Sequence, residues 1–133
     1  MNTDKKGWGM TDVHNDLTKQ IIGCAYRVSN TLGCGFLEKV YENAFAYELR
    51  EQGLGVKQQH SIDVNYSKIV VGHYVADLIV ERSVIVEIKA VNDLNEIHAA
   101  QTLNYLKATG LPVALLINFG KPRVDVRRFL NRF

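Results

Sequence analysis

The chain has 133 residues, 47% of them hydrophobic and 23% charged, with a formal net charge of +2. That length is one domain able to bury a core, and the composition is that of an ordinary soluble globular protein. No run approaches the roughly 18 consecutive apolar residues of a membrane span, and Met1–Lys6 lacks the apolar segment of a signal peptide, so no membrane association is expected and the expected location is the cytoplasm.

Residues 1–10 are polar with glycines at 7 and 9, and read as a flexible N-terminus ahead of a single domain over 11–133. Thr11 or Asp12 can cap a helix over about 12–31, in which Val13, Leu17, Ile21, Ala25, Val28 and Leu32 recur at three- and four-residue steps. Gly33-Cys34-Gly35 should stop it. Cys24 and Cys34 lack zinc-site spacing and read as free thiols in a reducing compartment. A second helix over 37–52 carries Leu37, Val40, Tyr41, Ala44, Phe45 and Leu49 on one stripe, and Gly53 and Gly55 end it.

The period then switches to two. Ile62, Val64 and Tyr66 alternate with polar residues in a half-buried strand, 69–80 is a long apolar strand, and Glu81-Arg82-Ser83 turns it into 84–90. Three strands with short turns make an antiparallel meander. Asn92 or Asp93 caps a helix over 94–108, closed by Gly110 and Pro112, and 113–119 is an apolar strand. Following a helix, that strand should return parallel to a meander strand, giving a mixed sheet with helices on its faces. Residues 123–131 mix Val124 and Val126 with arginines and read equally as strand or helix. The order is ααβββαβ plus a last piece, an α/β class.

Asp77, at the end of one apolar run, and Glu87-Ile88-Lys89, inside the next, carry most of the chemistry. Glu87 and Lys89 share a face of their strand while Val86 and Ile88 take the other. Charges set beside strands this apolar must neutralise one another or hold a cation. Mg²⁺ takes one or two carboxylates plus water and phosphate oxygens, and a neighbouring lysine can orient or deprotonate an attacking water. That is the chemistry of phosphodiester hydrolysis. A Glu-x-Lys pair on a strand also serves simply to solubilise a sheet, so the flanking residues decide its weight.

Glu38 lies beside the apolar stripe of the second helix, where it either meets the helix dipole or supplies a third acid to a metal site. His98, Gln101 and Tyr105 share a face of the next helix. Gln101 and Tyr105 can hold a phosphate, lysine or water without competing for metal, whereas His98 reads as an ordinary hydrogen-bonding or surface residue. Lys121, Arg123, Arg127, Arg128 and Arg132 crowd the C-terminal end; such a strip either contacts phosphates or forms a solvated face.

Gly35-x-x-Glu38-x-x-Tyr41, Ala76-Asp77, Glu87-Ile88-Lys89, Gln101-x-x-x-Tyr105 and Leu103-Asn104-Tyr105-Leu106 together closely resemble the GxxExxY family, over about residues 15–130. That family is placed in the PD-(D/E)XK nuclease superfamily. The resemblance implies a restriction-endonuclease-like αβββαβ core, which the element order fits with one extra N-terminal helix. It further implies that Asp77, Glu87 and the backbone carbonyl of Ile88 bind Mg²⁺, with Mn²⁺ as a substitute, and that Glu38 joins them directly or through water. Lys89 would activate water, and Gln101 and Tyr105 would support Lys89 or the scissile phosphate. Ala76 stands where the superfamily's name has proline, at a position that contributes no ligand. The function so implied is a metal-dependent nuclease acting on DNA; the basic residues Lys121, Arg123, Arg127 and Arg128 would, on their charge, draw in its phosphates. Two rivals stand beside it: a catalytically silent nucleic-acid-binding or protein-interaction module, and a buried salt-bridge network that binds no metal. So small a unit would favour a homodimer or larger assembly.

Overall fold

The computed structural model describes residues 8–131, with side chains from residue 14 onward. Eight elements follow in order: α1 (Trp8–Leu32), α2 (Glu38–Glu51), β1 (Val56–Tyr66), β2 (Ile69–Val80), β3 (Val84–Lys89), α3 (Glu96–Thr109), β4 (Val113–Asn118) and β5 (Asp125–Leu130). The strands form one sheet in sequence order, antiparallel except for the parallel β3–β4 pair. The sheet is mixed as expected, with α3 supplying the connection between its parallel neighbours.

Helices α1 and α2 cover one face. Ile21, Cys24, Ala25 and Val28 from α1 and Tyr41, Phe45, Ala46 and Leu49 from α2 pack on Leu78, Val80, Val84, Val86, Ile88, Leu115 and Ile117. On the other face, Tyr105, Leu106 and Leu111 join Ile62, Ala76, Ile79, Ile85, Ala114 and Phe129 in a smaller core. The nearly continuous apolar runs of β3 and β4 arise because both faces of these central strands are covered. Both cysteines are free, Cys24 buried and Cys34 exposed. No described helix is long and apolar enough to cross a membrane.

Several boundaries move. Helix α1 already runs from Trp8, so Thr11 and Asp12 lie inside it rather than capping it; residues 1–7 of the expected flexible N-terminus lie outside the described residues. Strand β1 starts at Val56, ahead of the alternating segment, because the polar run Lys57–His60 pairs with β2 without showing a hydrophobic period. The cap of α3 is Asn95 rather than Asn92 or Asp93. Its side chain accepts from the His98 N–H at 3.0 Å, and His98 Nδ1 accepts from the Asn95 N–H at 3.2 Å, a reciprocal capping box. His98 thus has a local structural task. The last piece resolves as a strand, β5, on the edge of the sheet beside β4.

Candidate active site

Strands β2 and β3 pair at Leu78–Val86, Ile79–Ile85 and Val80–Val84, closed by the three-residue loop Glu81-Arg82-Ser83 with Glu81 and Arg82 at positive φ. An odd loop centred on Arg82 sets Asp77 opposite Glu87. There the ladder gives way to side chains. The Asp77 N–H donates to Glu87 Oε2 at 3.2 Å, and the Ile88 N–H donates to Asp77 Oδ2 at 2.7 Å. The side chain of each acid takes an N–H at the point where the two strands part.

A backbone irregularity accompanies the parting. Ala76 and Ile79 both lie in the α3-side core, three residues apart, whereas Leu78 faces α1 and α2. Period-two alternation therefore slips by one at Asp77. Opposite it on β1, between the pairs Gln58–Leu78 and His60–Ala76, Gln59 has a positive φ of 53°. Its Nε2 donates to Glu42 Oε1 at 2.8 Å and reaches Asp77 Oδ1 at 3.4 Å.

The electrostatics are those of crowded acids. Burial pushes the Glu87 carboxyl up to about 8, with the Asp77 charge adding to the push; the Asp77 N–H and Lys89 pull the other way, and Glu38 adds a further upward push. Asp77 is also raised, by burial first, against the Ile88 N–H and with Glu42 opposing its charge. The Tyr105 hydroxyl is raised by burial and then by Glu87, Tyr74 and Asp77. Asp77, Glu87 and Lys89 thus feel one another's charge where β2 and β3 part, between Tyr105 of α3 and Glu38 and Glu42 of α2. Glu38 stands exposed in the first turn of α2, close enough for its charge to bear on both acids. Gln101 is exposed one turn of α3 before Tyr105.

The loop before α2 explains two other motif positions. Gly35 has φ 115°, a conformation that excludes an ordinary side chain. Tyr41, fully buried and stacked on Phe119 at 4.9 Å, donates its hydroxyl to Gly33 O at 2.6 Å and accepts from the Phe36 N–H at 3.2 Å. Glycine and tyrosine fix the loop, and the loop presents Glu38.

The C-terminal cations are not one surface. On β5, successive Arg127 and Arg128 oppose Leu116 and Leu115 and so take opposite faces, with Arg128 lining a cleft against Asn15, Asp16 and Lys19 of α1. Lys121 pairs with Asp93 at 3.2 Å, Arg123 is exposed in the preceding turn, and Arg132 lies outside the described residues.

The family model of the PD-(D/E)XK nuclease superfamily matches residues 15–129. The chain belongs to that superfamily. No curated protein matches it in sequence. Among solved structures it is similar to an alkaline exonuclease from Laribacter hongkongensis, at 15% identity and a TM-score of 0.54, over 71% of this chain and 56% of that one. The likeness is one of fold, and this PD-(D/E)XK chain spans little more than half the exonuclease's length.

Nucleases of the PD-(D/E)XK superfamily generally use divalent metal ions. The acidic pair fits such an ion. Two adjacent carboxyls, one held up to about 8, are a place where a cation relieves both burial and repulsion. Among the described residues no three His, Cys, Asp or Glu side chains gather into a cage. A hard cation that keeps several waters needs only the pair.

One buried acid of this PD-(D/E)XK site escapes the sequence pattern. Glu42, 3% exposed, accepts from Lys39 Nζ at 3.0 Å, Gln58 Nε2 at 2.8 Å and Gln59 Nε2 at 2.8 Å. Its signal was its phase: it stands three residues before Phe45 and seven before Leu49, inside the buried stripe of α2. An acid in such a stripe must be paired, and the Gln58-Gln59 pair on β1 supplies the donors.

Proposed function

We propose that this chain is a metal-dependent nuclease that hydrolyses DNA phosphodiester bonds, within the GxxExxY branch that Gly35, Glu38 and Tyr41 resemble. The observation that carries the reading is the meeting of Asp77, Glu87 and Lys89 where β2 and β3 separate. Asp77 and Glu87 would hold Mg²⁺ or Mn²⁺, with the Ile88 carbonyl as a further ligand and Glu38 reaching the ion through water. The cation would lower the pKa of water and offset charge on the phosphoryl oxygens. Lys89, on the same face as Glu87, would hold the attacking water and share its proton. Tyr105 would hydrogen-bond a phosphate oxygen from α3, with Gln101 beside it on the exposed side. The Ile88 N–H fixes the Asp77 carboxylate, and Gln59 ties it to Glu42, so the acids are held before substrate arrives. Cleavage of a panel of labelled DNA and RNA substrates with Mg²⁺ or Mn²⁺, comparing wild type with Lys89→Ala, tests this. Metal-dependent products from wild type alone support it, and equal inertness of both proteins on every substrate defeats it.

A further inference from the structure

Beside the acidic pair lies a cleft that the hydrolysis does not use. It opens between the β1–β2 hairpin and α3, holds about 480 Å³, and is lined by Val64, Asn65, Tyr74, Asn104, Lys107 and Ala108. Tyr74 is 42% exposed, although its ring packs against that of Tyr105 with centroids 4.9 Å apart and planes tilted by 59°. Tyr105 in turn feels the charges of Glu87 and Asp77. Tyr74 also precedes Asp77 by three residues on β2, roughly 10 Å at a strand's rise. Tyr74, in the wall of the cleft, thus touches the Tyr105 ring that stands towards the acidic pair.

The chemistry of its lining is selective. Tyr74 is partly exposed, the Asn104 carboxamide offers donors and an acceptor, and the Lys107 ammonium is present, with no acid in the wall. Gly72 lies two residues from Tyr74 on the same strand face, and the space above its Cα is open. A nucleobase needs such a combination: a π face to stack on, an amide group for its edge, and a cation for its phosphate. In a duplex both faces of a base are covered and its pairing edge is used. Only an unpaired base can use all three features.

We propose that this cleft is a nucleotide subsite in which an unpaired base of single-stranded nucleic acid stacks on Tyr74, with Asn104 at its edge and Lys107 at its phosphate. The proposal deepens the nuclease reading and rests on it for the direction of the strand, which passes from the cleft to Asp77 and Glu87.

Binding is measured without metal, by anisotropy of a fluorescein-labelled single-stranded oligothymidine and of a blunt duplex of equal length. Tyr74→Leu weakens single-strand affinity roughly 5- to 100-fold while duplex affinity stays within about twofold, and Tyr74→Trp restores it. Lys107→Gln lowers the log–log salt slope for the single strand by roughly 0.7. Should Tyr74→Leu fail to fold by circular dichroism, Asn104→Ala and Lys107→Gln, at exposed positions of α3, decide by the same single-strand loss. Unchanged single-strand affinity, or an equal loss for duplex, overturns the subsite. So does a Tyr74→Leu protein whose sedimentation changes while its oligonucleotide binding does not, which would make the face a protein contact. The two readings fail separately: Tyr74-dependent binding in a protein that cuts nothing with Mg²⁺ or Mn²⁺ defeats hydrolysis alone. Metal-dependent cutting that is indifferent to Tyr74 defeats the subsite alone.

Discussion

Asp77 and Glu87 are joined through the backbone: the Asp77 N–H donates to Glu87 at 3.2 Å, while the Asp77 carboxylate takes the Ile88 N–H at 2.7 Å. Each acid thereby replaces a rung of the ladder that the parting of β2 and β3 would leave open. The arrangement makes a structural bond out of groups whose charges repel, and the consequences can be measured.

Replacing Asp77 by Asn keeps an oxygen for the Ile88 N–H but removes one of two crowded charges. The Asp77→Asn protein is expected to fold and, without metal at pH 8, to be more stable by about 1 kcal/mol. It should also lose the stabilisation that Mg²⁺ or Mn²⁺ gives wild type, and its cleavage. Thermal melts with and without metal check this. An Asp77→Asn protein that melts well below wild type would show that the carboxylate charge itself supports the fold.

Glu87 gives stability a pH dependence of definite sign. Its carboxyl rises from 4.5 to about 8 on folding, so between those values the folded state binds the extra proton. Stability is then full below about pH 4.5 and falls as pH climbs through 8, by on the order of a few kcal/mol. Raised Asp77 acts in the same direction. Metal reverses the trend, because it binds the ionised pair: Mg²⁺ should raise the melting temperature more at pH 8.5 than at pH 5.5. Glu87→Gln should flatten both dependences. A wild-type melting temperature that rises steadily across this range would contradict the assignment.

Gly120 is where a single methyl group should be felt. Added there, it runs into the backbone of Ala90 and Val91, the segment that follows Lys89. Asn118, fully buried, ties the same segment by accepting from the Val91 and Gly120 N–H groups at 3.0 and 2.9 Å and donating to Val91 O at 2.9 Å. Gly120→Ala is expected to cost about 1–3 kcal/mol in urea unfolding, because rigid backbone must move to make room. Cleavage should fall with it, since the displaced segment directly follows Lys89. A substitution neutral in both assays would mean that the loop carries no strain to the site.

The face shared by Glu87 and Lys89 was legible because strand alternation is a strict period, and the distance from Asp77 to Glu87 fixed the register once the loop was odd. The long strands and the helical stripes followed from apolar periodicity. Lys57-Gln58-Gln59-His60 hid both the start of β1 and the distortion at Gln59, because a polar run with one residue at positive φ has no period to read. Glu42 was hidden for a related reason: a buried acid is recognisable only when its donors are known, and Gln58 and Gln59 lie on another element. The basic strip divides because crowding along a chain is not crowding on a surface, and strand alternation sends Arg127 and Arg128 apart.

That separation gives the sharpest test of how substrate is held. Lys89 lies beside the acids and is expected to act on the reacting water, so Lys89→Ala should lower cleavage by roughly 10²–10⁴-fold with little change in DNA affinity. Arg127 shares the face of Glu87, since both oppose Leu116, whereas Arg128 faces the α1 side. A phosphate backbone approaching the acidic pair from the α3 side can meet Arg127 but not Arg128. Arg127→Gln should therefore weaken DNA binding and reduce its log–log salt slope by roughly one, while Arg128→Gln leaves the slope unchanged. Titrations at several salt concentrations, with cleavage followed in parallel, separate the two roles. Equal slopes lost at both arginines would require nucleic acid on both faces of β5, and a loss at Arg128 alone would place the substrate on the face opposite Glu87.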